Sequence, residues 1–376
     1  MVKWKPTTKL ISNKKILFLT LYTFSLTGGI EKVCRSFSKV LQDLLTERKI
    51  SDYKVLSMYD QSPDLNYVDQ KSYIGFNGRR INFAIQVLTS GLHSDVIILS
   101  HVNLLIFGWL IKKLQPKKRI ILFAHGIEIW EKLSKWKTNF IRKQVEIIAV
   151  SKYTALKIEE VHQLQANKIT VINNCLDPFF NNPVSFEKPQ ELINRYHLKE
   201  ENRVLFTLSR LSSDEQYKGY DHVIEALAEL PEHIIYILSG KADLNEAQRI
   251  KNLIAKNHLQ QRVILTCFVP DEEIEDHYLL ADVFVMPSKG EGFGISFIEA
   301  AACGCRSVTG NMDGSTDAIL NGALGQSVNP HDKAALKTVI LDEVNSNYNK
   351  IDLQQKCLAA FVYEKYKERV RVALVN

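Results

Sequence analysis

Short apolar runs closed by glycine or polar residues alternate along this chain with stretches of helical period. The first run, Lys15–Thr20, is followed by others at 53–57, 95–99, 119–123, 146–150 and 169–172. A second series lies at 203–209, 234–238, 263–266, 282–286 and 306–309. Between the first two runs, Val33, Phe37, Val40, Leu41 and Leu44 fall on one face of a helix running from Gly28 and Gly29 to about Thr46. Runs this continuous, separated by helices, predict parallel strands covered on both faces. The fold class is therefore α/β, with two Rossmann-like doubly wound domains. The polar stretch 177–189, with prolines at 178, 183 and 189, marks the linker, so the domains are expected at 1–176 and 177–354. Residues 1–14, polar and basic, read as a loose arm.

One strand end concentrates the chemistry. The run 282–286 passes into Pro287-Ser-Lys-Gly290, then Glu291-Gly-Phe-Gly294, then an apolar helix from Ile295 to Ala302 carrying Glu299. Strand, glycine turn and helix together aim backbone N–H groups and a positive helix end at an anion, usually a phosphate. Carboxylates beside such a site suit a ligand with phosphate in the middle and hydroxyl-rich groups at both ends, as in a nucleotide-sugar. Arg210, after the run 203–209, and Lys218-Gly219 supply cations at another strand end, suited to clamping a diphosphate. An ion pair of Arg210 with Asp214 is the structural alternative. His125, in Phe123-Ala-His-Gly126, also follows a strand, where such sheets bind ligands. The Gly28-Gly29 pair admits close backbone approach but is not G-x-G-x-x-G, which removes the main support for a dinucleotide dehydrogenase. Glu31 reads as a helix-capping or solvated residue.

Pro-Ser-x-x-Glu-Gly-Phe-Gly followed by Glu299-Ala-x-Ala-x-Gly304 resembles the signature of retaining GT-B glycosyltransferases of family 4. The resemblance covers nearly the whole chain and is most specific over 203–325. It implies two domains facing across a cleft, with the segment from about 355 to 376 packing back on the first. It implies transfer of a hexose from a nucleotide-diphospho-sugar to a hydroxyl of a glycan or lipid-linked acceptor, with retention. Arg210 and Lys218 would neutralise the leaving diphosphate with the amides of Gly294, Ile295 and Ser296. Glu291 would hold the sugar, Glu299 the ribose, and His125 would lie near the transferred sugar. Phe293 and the Gly28-Gly29 pair complete the donor set, with Gly240, Phe268 and Val269 in turns that hold the base. Three departures stand out: the family's Gly-Gly-x-x-Glu-like loop is shifted to Gly28-Gly-Ile-Glu31, Asn173 and Cys175 replace the usual proline and glycine, and the turn between Arg210 and Lys218 is longer than the common form. A GT-B epimerase or phosphorylase, or a non-catalytic GT-B subunit, is the alternative.

Composition narrows the partners. The net charge of +6 is unevenly distributed, with 27 Lys+Arg against 13 Asp+Glu in residues 1–176 and 21 against 29 in the rest. An anionic partner of the first half follows, and with no nucleic-acid motif an anionic membrane surface is preferred. Trp130 to Lys143 reads as a basic amphipathic helix, either with Trp130, Trp136 and Phe140 for apolar insertion or as a surface helix packing that stripe on its own domain. No apolar run is long enough to span a bilayer and no export signal is read, so the expected place is cytoplasmic, peripheral on the inner membrane face. Six scattered cysteines without CxxC or zinc spacing read as reduced thiols. With no Asp-x-Asp and no carboxylate cluster, neither metal nor cofactor is expected.

Overall fold

The computed structural model describes residues 13–375, so the arm expected at 1–14 lies, but for Asn13 and Lys14, outside the described residues. The chain divides into two compact units. One holds the described residues up to Ala149, Ala155–Ile172 and the chain from Glu364; the other holds Val150–Thr154 and Asn173–Tyr363. The sequence places the division after residue 176 and the return at about 355; the contacts divide the chain after Ile172 and return it at Glu364.

The first unit is a parallel sheet of β1 (Lys15–Thr20), β2 (Asp52–Ser57), β3 (Tyr73–Gly75), β4 (Val96–Leu99), β5 (Arg119–Ala124), β6 (Glu146–Ala149) and β7 (Ile169–Val171). Their order is β3-β2-β1-β4-β5-β6-β7, with Phe18 beside Val55 on one flank and Ile98 on the other. The helices are α1 (Gly29–Thr46), α2 (Arg80–His93), α3 (Leu105–Leu114), α4 (Ile127–Trp130), α5 (Lys135–Gln144) and α6 (Lys152–His162). Phe83 and Val87 of α2, Leu105 and Ile111 of α3, and Phe140 and Ile141 of α5 share one core with Leu17, Ile97 and Ile120 of the sheet. Phe37 of α1 meets Phe18 and Phe123 edge-on at 4.7 and 4.9 Å. Each of these fully buried side chains contributes about 1.5–3 kcal/mol of transfer free energy.

The second unit is a parallel sheet of β8 (Arg203–Leu208), β9 (Ile234–Ser239), β10 (Val263–Cys267), β11 (Val283–Met286), β12 (Arg306–Gly310) and β13 (Gly325–Val328). The order is β10-β9-β8-β11-β12-β13. Its helices are α7 (Gln190–Arg195), α8 (Tyr220–Leu227), α9 (Leu244–Lys256), α10 (Ile274–Leu280), α11 (Ile295–Ala302), α12 (Ser315–Ala318), α13 (Lys333–Val344) and α14 (Lys350–Phe361). A last helix, α15 (Tyr363–Val375), returns to the first unit, where Arg119 donates to the carbonyls of Ala373 and Leu374 at 3.0 and 3.1 Å.

The segment expected as one helix from Trp130 to Lys143 is instead broken. Glu131 leaves the helical region, Ser134 is the N-cap of α5, and only Lys135–Gln144 continues. Phe140 is core at 4% exposure and Trp130 packs half-buried against the same core, which leaves Trp136, at 40%, as the exposed aromatic. The strands β3 and β13 carry no apolar run, and the sequence reading passes over both.

Candidate functional site

Strand order in the second sheet reverses between β8 and β11, and the loops leaving such neighbours diverge to open a ligand site at their carboxyl ends. Arg210 follows β8 and the Pro287–Gly294 turn follows β11. The short helical turn Gln216–Lys218 docks on that turn, with Lys289 N–H donating to the Tyr217 carbonyl at 3.0 Å. Gly219 (φ +77°) makes this possible, because a Cβ there would lie 2.5 Å from the Pro287 carbonyl oxygen.

This docking brings Lys218 and Glu291 together at 2.5 Å, with side chains only 14% and 16% exposed. Burial alone would lower the Lys218 pKa; Glu291, with Tyr217 and Glu215, more than offsets it and raises it. Arg210 is 66% exposed and pairs with Glu215 at 2.5 Å, not with Asp214. Glu215 also lies 3.7 Å from Lys218, so one carboxylate joins both cations. The long turn between them is pinned to the start of α9: Asp243 accepts from Ser213 N–H at 2.8 Å, and buried Glu246 accepts from Gln216 (2.8 Å), Tyr220 (2.6 Å) and Arg249.

Gly294 caps α11 at φ +87°, where a Cβ would run into the Phe297 ring. Phe293 is buried, as are all of α11's residues except Ser296. The Ile295 and Ser296 amides, in the first turn, have no intrahelical acceptor and a helix end behind them. Glu299 is 3% exposed and accepts from the Tyr278 hydroxyl at 3.2 Å. The helix ends with Cys305 N–H returning to the Ala300 carbonyl at 2.9 Å, so Cys303-Gly-Cys305 is a helix stop. At the neighbouring strand ends Gly240 is buried, Val269 is buried and Phe268 is 60% exposed.

Gly28, Gly29 and His125 belong to the first unit. Glu31 folds its carboxylate back over Gly28, as a capping residue at the third helical position does. His125 Nε2 lies 2.9 Å from the Ser100 carbonyl, which fixes that nitrogen as the donor and leaves Nδ1 as the acceptor. Burial first, then His101, lowers its pKa to about 4, and burial with Lys137 lowers His101 to about 4 as well. Glu128 accepts the His125 N–H at 2.6 Å and its pKa is raised by burial.

Sequence reasoning missed His101, Glu128, Glu215 and two buried acids. Asp60 takes the N–H groups of Thr23, Phe24 and Ser25 at 2.6–3.2 Å and the Tyr73 hydroxyl, holding the loop ahead of the glycine pair. Asp313 takes the N–H of Glu291 at 2.8 Å. Both follow strands at the ligand-binding edge, which was the available signal.

A family model described as Glycosyl transferases group 1 matches residues 189–357, and one described as Glycosyltransferase Family 4 matches residues 27–179. The chain is 30% identical over 241 residues to the GDP-mannose-dependent alpha-(1-6)-phosphatidylinositol monomannoside mannosyltransferase of Mycolicibacterium smegmatis, covering 60% of each chain. It is 31% identical over 163 residues to the mannosylfructose-phosphate synthase of Agrobacterium fabrum, covering 41% of this chain and 35% of that one. The matched part thus spans 60% and 35% of these relatives, less than two thirds of either. The fold is that of Anabaena HepE in complex with UDP and glucose, at TM-score 0.74 and 20% identity, over 96% of this chain and 99% of that one.

Proposed function

This chain belongs to the group 1 glycosyltransferases of GT-B fold, and from that premise we propose that it moves a hexose from a nucleotide-diphospho-sugar to an acceptor hydroxyl, with retention, in glycan or polysaccharide synthesis. The observation that carries this reading is Lys218, its side chain 14% exposed and held between Glu291 and Glu215 beside the glycine turn. A largely enclosed ammonium with two carboxylates is a ready partner for a diphosphate, whose charge exceeds that of either acid.

In this reading the bond from C1 to the diphosphate oxygen breaks and its electron pair stays on that oxygen. Lys218, Arg210 and the amides at the start of α11 stabilise the charge that develops there. Glu291 holds the sugar hydroxyls, and Glu299 the ribose. The acceptor oxygen bonds to C1 on the face the diphosphate leaves, and its proton passes to the departing phosphate. The sequence offers no carboxylate placed as a nucleophile, which favours this front-face course. The reaction is read as metal-independent, because the chain lacks Asp-x-Asp. His125, neutral at pH 7, is read as a hydrogen-bonding partner of sugar hydroxyls.

The acceptor is read as lipid-linked or otherwise presented at a membrane. Helices α2, α3 and α5 cover one face of the first sheet and pack side by side, Phe83 on Phe107 at 5.3 Å and Trp109 near Trp136 at 6.4 Å. Ile81, Ile85, Ile106 and Trp136 are exposed on them among Arg80, Lys113, Lys132 and Lys135. Apolar side chains set among cations suit an anionic bilayer surface. Among the described residues no helix is long and apolar enough to cross one.

The test is slow hydrolysis of UDP-glucose, GDP-mannose and ADP-glucose without acceptor. Release of sugar and nucleoside diphosphate from at least one supports the reading. Binding without release from any of them fits a non-catalytic subunit instead.

A further inference from the structure

We propose that Asp313 is a positioning residue for this donor site, whose buried carboxylate holds the Glu291 turn in working register and makes turnover depend on its ionisation. The inference rests on the reading that Glu291 contacts the transferred sugar.

Asp313 is 1% exposed, in the loop between β12 and α12. Its Oδ2 accepts the N–H of Glu291 at 2.8 Å and its Oδ1 accepts that of Ser315 at 2.9 Å. The next residue grips the same peptide from its other end, Gly314 N–H donating to the Glu291 carbonyl at 2.8 Å. Glu291 is thus held through its backbone by Asp313-Gly314, while its side chain meets Lys218. A side chain at Gly314 would collide with the Gly292 carbonyl, so the two loops are in direct contact.

The charges around Asp313 do not explain its presence as a stability device. The signature turn brings Glu291, a like charge, whose own partner is Lys218 with Glu215 beyond. Its own loop brings Asp317, which accepts from Lys152 N–H at 2.8 Å and Asn173 at 3.2 Å. The segment 150–154 brings the Lys152 backbone N–H onto Asp317 and the Ser151 side chain beside Gly314. A buried anion with two N–H donors and a like charge nearby costs stability relative to a neutral acceptor. Burial first raises its pKa to about 6, with the Ser315 side chain and the Ser315 and Glu291 N–H groups opposing and the Glu291 charge adding. When it takes a proton, the Glu291 N–H loses its charged acceptor and the turn slackens.

The test uses the full chain with UDP-glucose and GDP-mannose as donors, measuring kcat and KM from about pH 5 to about pH 8. Wild-type kcat should fall on the acid side with an apparent pKa near 6. Asp313→Asn should lower kcat at pH 7.5 by about tenfold or more and abolish that limb, with affinity for UDP or GDP changed by less than about threefold. Its melting temperature should equal or exceed wild type, whereas a purely structural brace would lose stability and activity together. Asp313→Glu keeps the charge but moves the acceptor, so kcat should fall while an acid limb persists. An unchanged kcat in either variant, or the wild-type limb surviving in Asp313→Asn, overturns the inference. Should Glu291→Ala also leave kcat unchanged, the donor-site reading itself fails.

Discussion

At the scale of single residues, burial ranks the two cations of the proposed diphosphate clamp. Lys218 is held in a low-dielectric setting, where a charge acts over a short range with little screening, while Arg210 stands mostly in solvent. Lys218→Ala is therefore expected to cut turnover by about 10²-fold or more, and Arg210→Ala by a smaller factor. Donor hydrolysis rates with the fold checked by circular dichroism decide this, and an order reversed between the two would contradict the ranking. Titration offers a second residue-scale test. His101 and His125 have folded pKa values near 4, below the ordinary 6.5, so the unfolded chain takes up protons first as pH falls. Their contribution is fully present above about pH 6.5 and is lost toward pH 4; Asp313, with its raised pKa, pulls the other way. Burial lowers His162 and His277 as well. Four histidines set against the raised Asp313, Glu128 and Glu275 predict a lower denaturant midpoint at pH 5 than at pH 7.5, and a smaller difference in His101→Asn.

At the scale of elements, the glycine turn into α11 is the part where sequence and structure agree most closely. A strand of four apolar residues, a turn that needs positive φ and an alanine-rich helix are each local demands, so local sequence suffices to read them. Gly294→Ala should cost about 1–3 kcal/mol, since the residue must hold left-handed backbone and its Cβ meets Phe297. The denaturant midpoint should drop and nucleoside diphosphate affinity with it; an alanine tolerated in both would mean that the cap relaxes freely. What stayed illegible is non-local. The pairing of Arg210 with Glu215 instead of Asp214 depends on how Asp243 and Glu246 pin the long turn. Asp313 acquires its role only because β12 lies beside β11, a neighbour relation no spacing reveals. The helix expected from Trp130 to Lys143 is interrupted at Glu131–Ser134, and Phe140 and Ile141 of its second part are buried, so part of its apolar stripe faces inward. The strands β3 and β13 escaped notice because an edge strand needs no apolar run.

At the scale of the whole molecule, the two sheets and their parallel strands were implied by the alternation of runs and helices, whereas the strand order and the switch between β8 and β11 were not. The charge asymmetry between the halves gives the molecule one cationic unit, and the exposed apolar residues of α2, α3 and α5 lie on it. Each Lys or Arg near an anionic surface contributes about 1 kcal/mol. The chain should co-sediment with anionic vesicles at low salt, release as salt screens the charges, and bind less when Lys132, Lys135 and Lys137 become Ser. Equal indifference to anionic and neutral vesicles would remove the membrane surface and leave the donor site as it stands.

The central claim, that Lys218 and the start of α11 form a diphosphate clamp, is tested most directly by comparing nucleoside diphosphate with monophosphate. Titration of UDP, GDP, UMP and GMP into wild type and Lys218→Ala separates the second phosphate from the base and ribose. Wild type should bind at least one diphosphate about tenfold or more tighter than its monophosphate, about 1.4 kcal/mol, and Lys218→Ala should lose that preference while still binding monophosphate. Equal affinity for mono- and diphosphate in wild type, or a preference that survives in Lys218→Ala, would contradict the account.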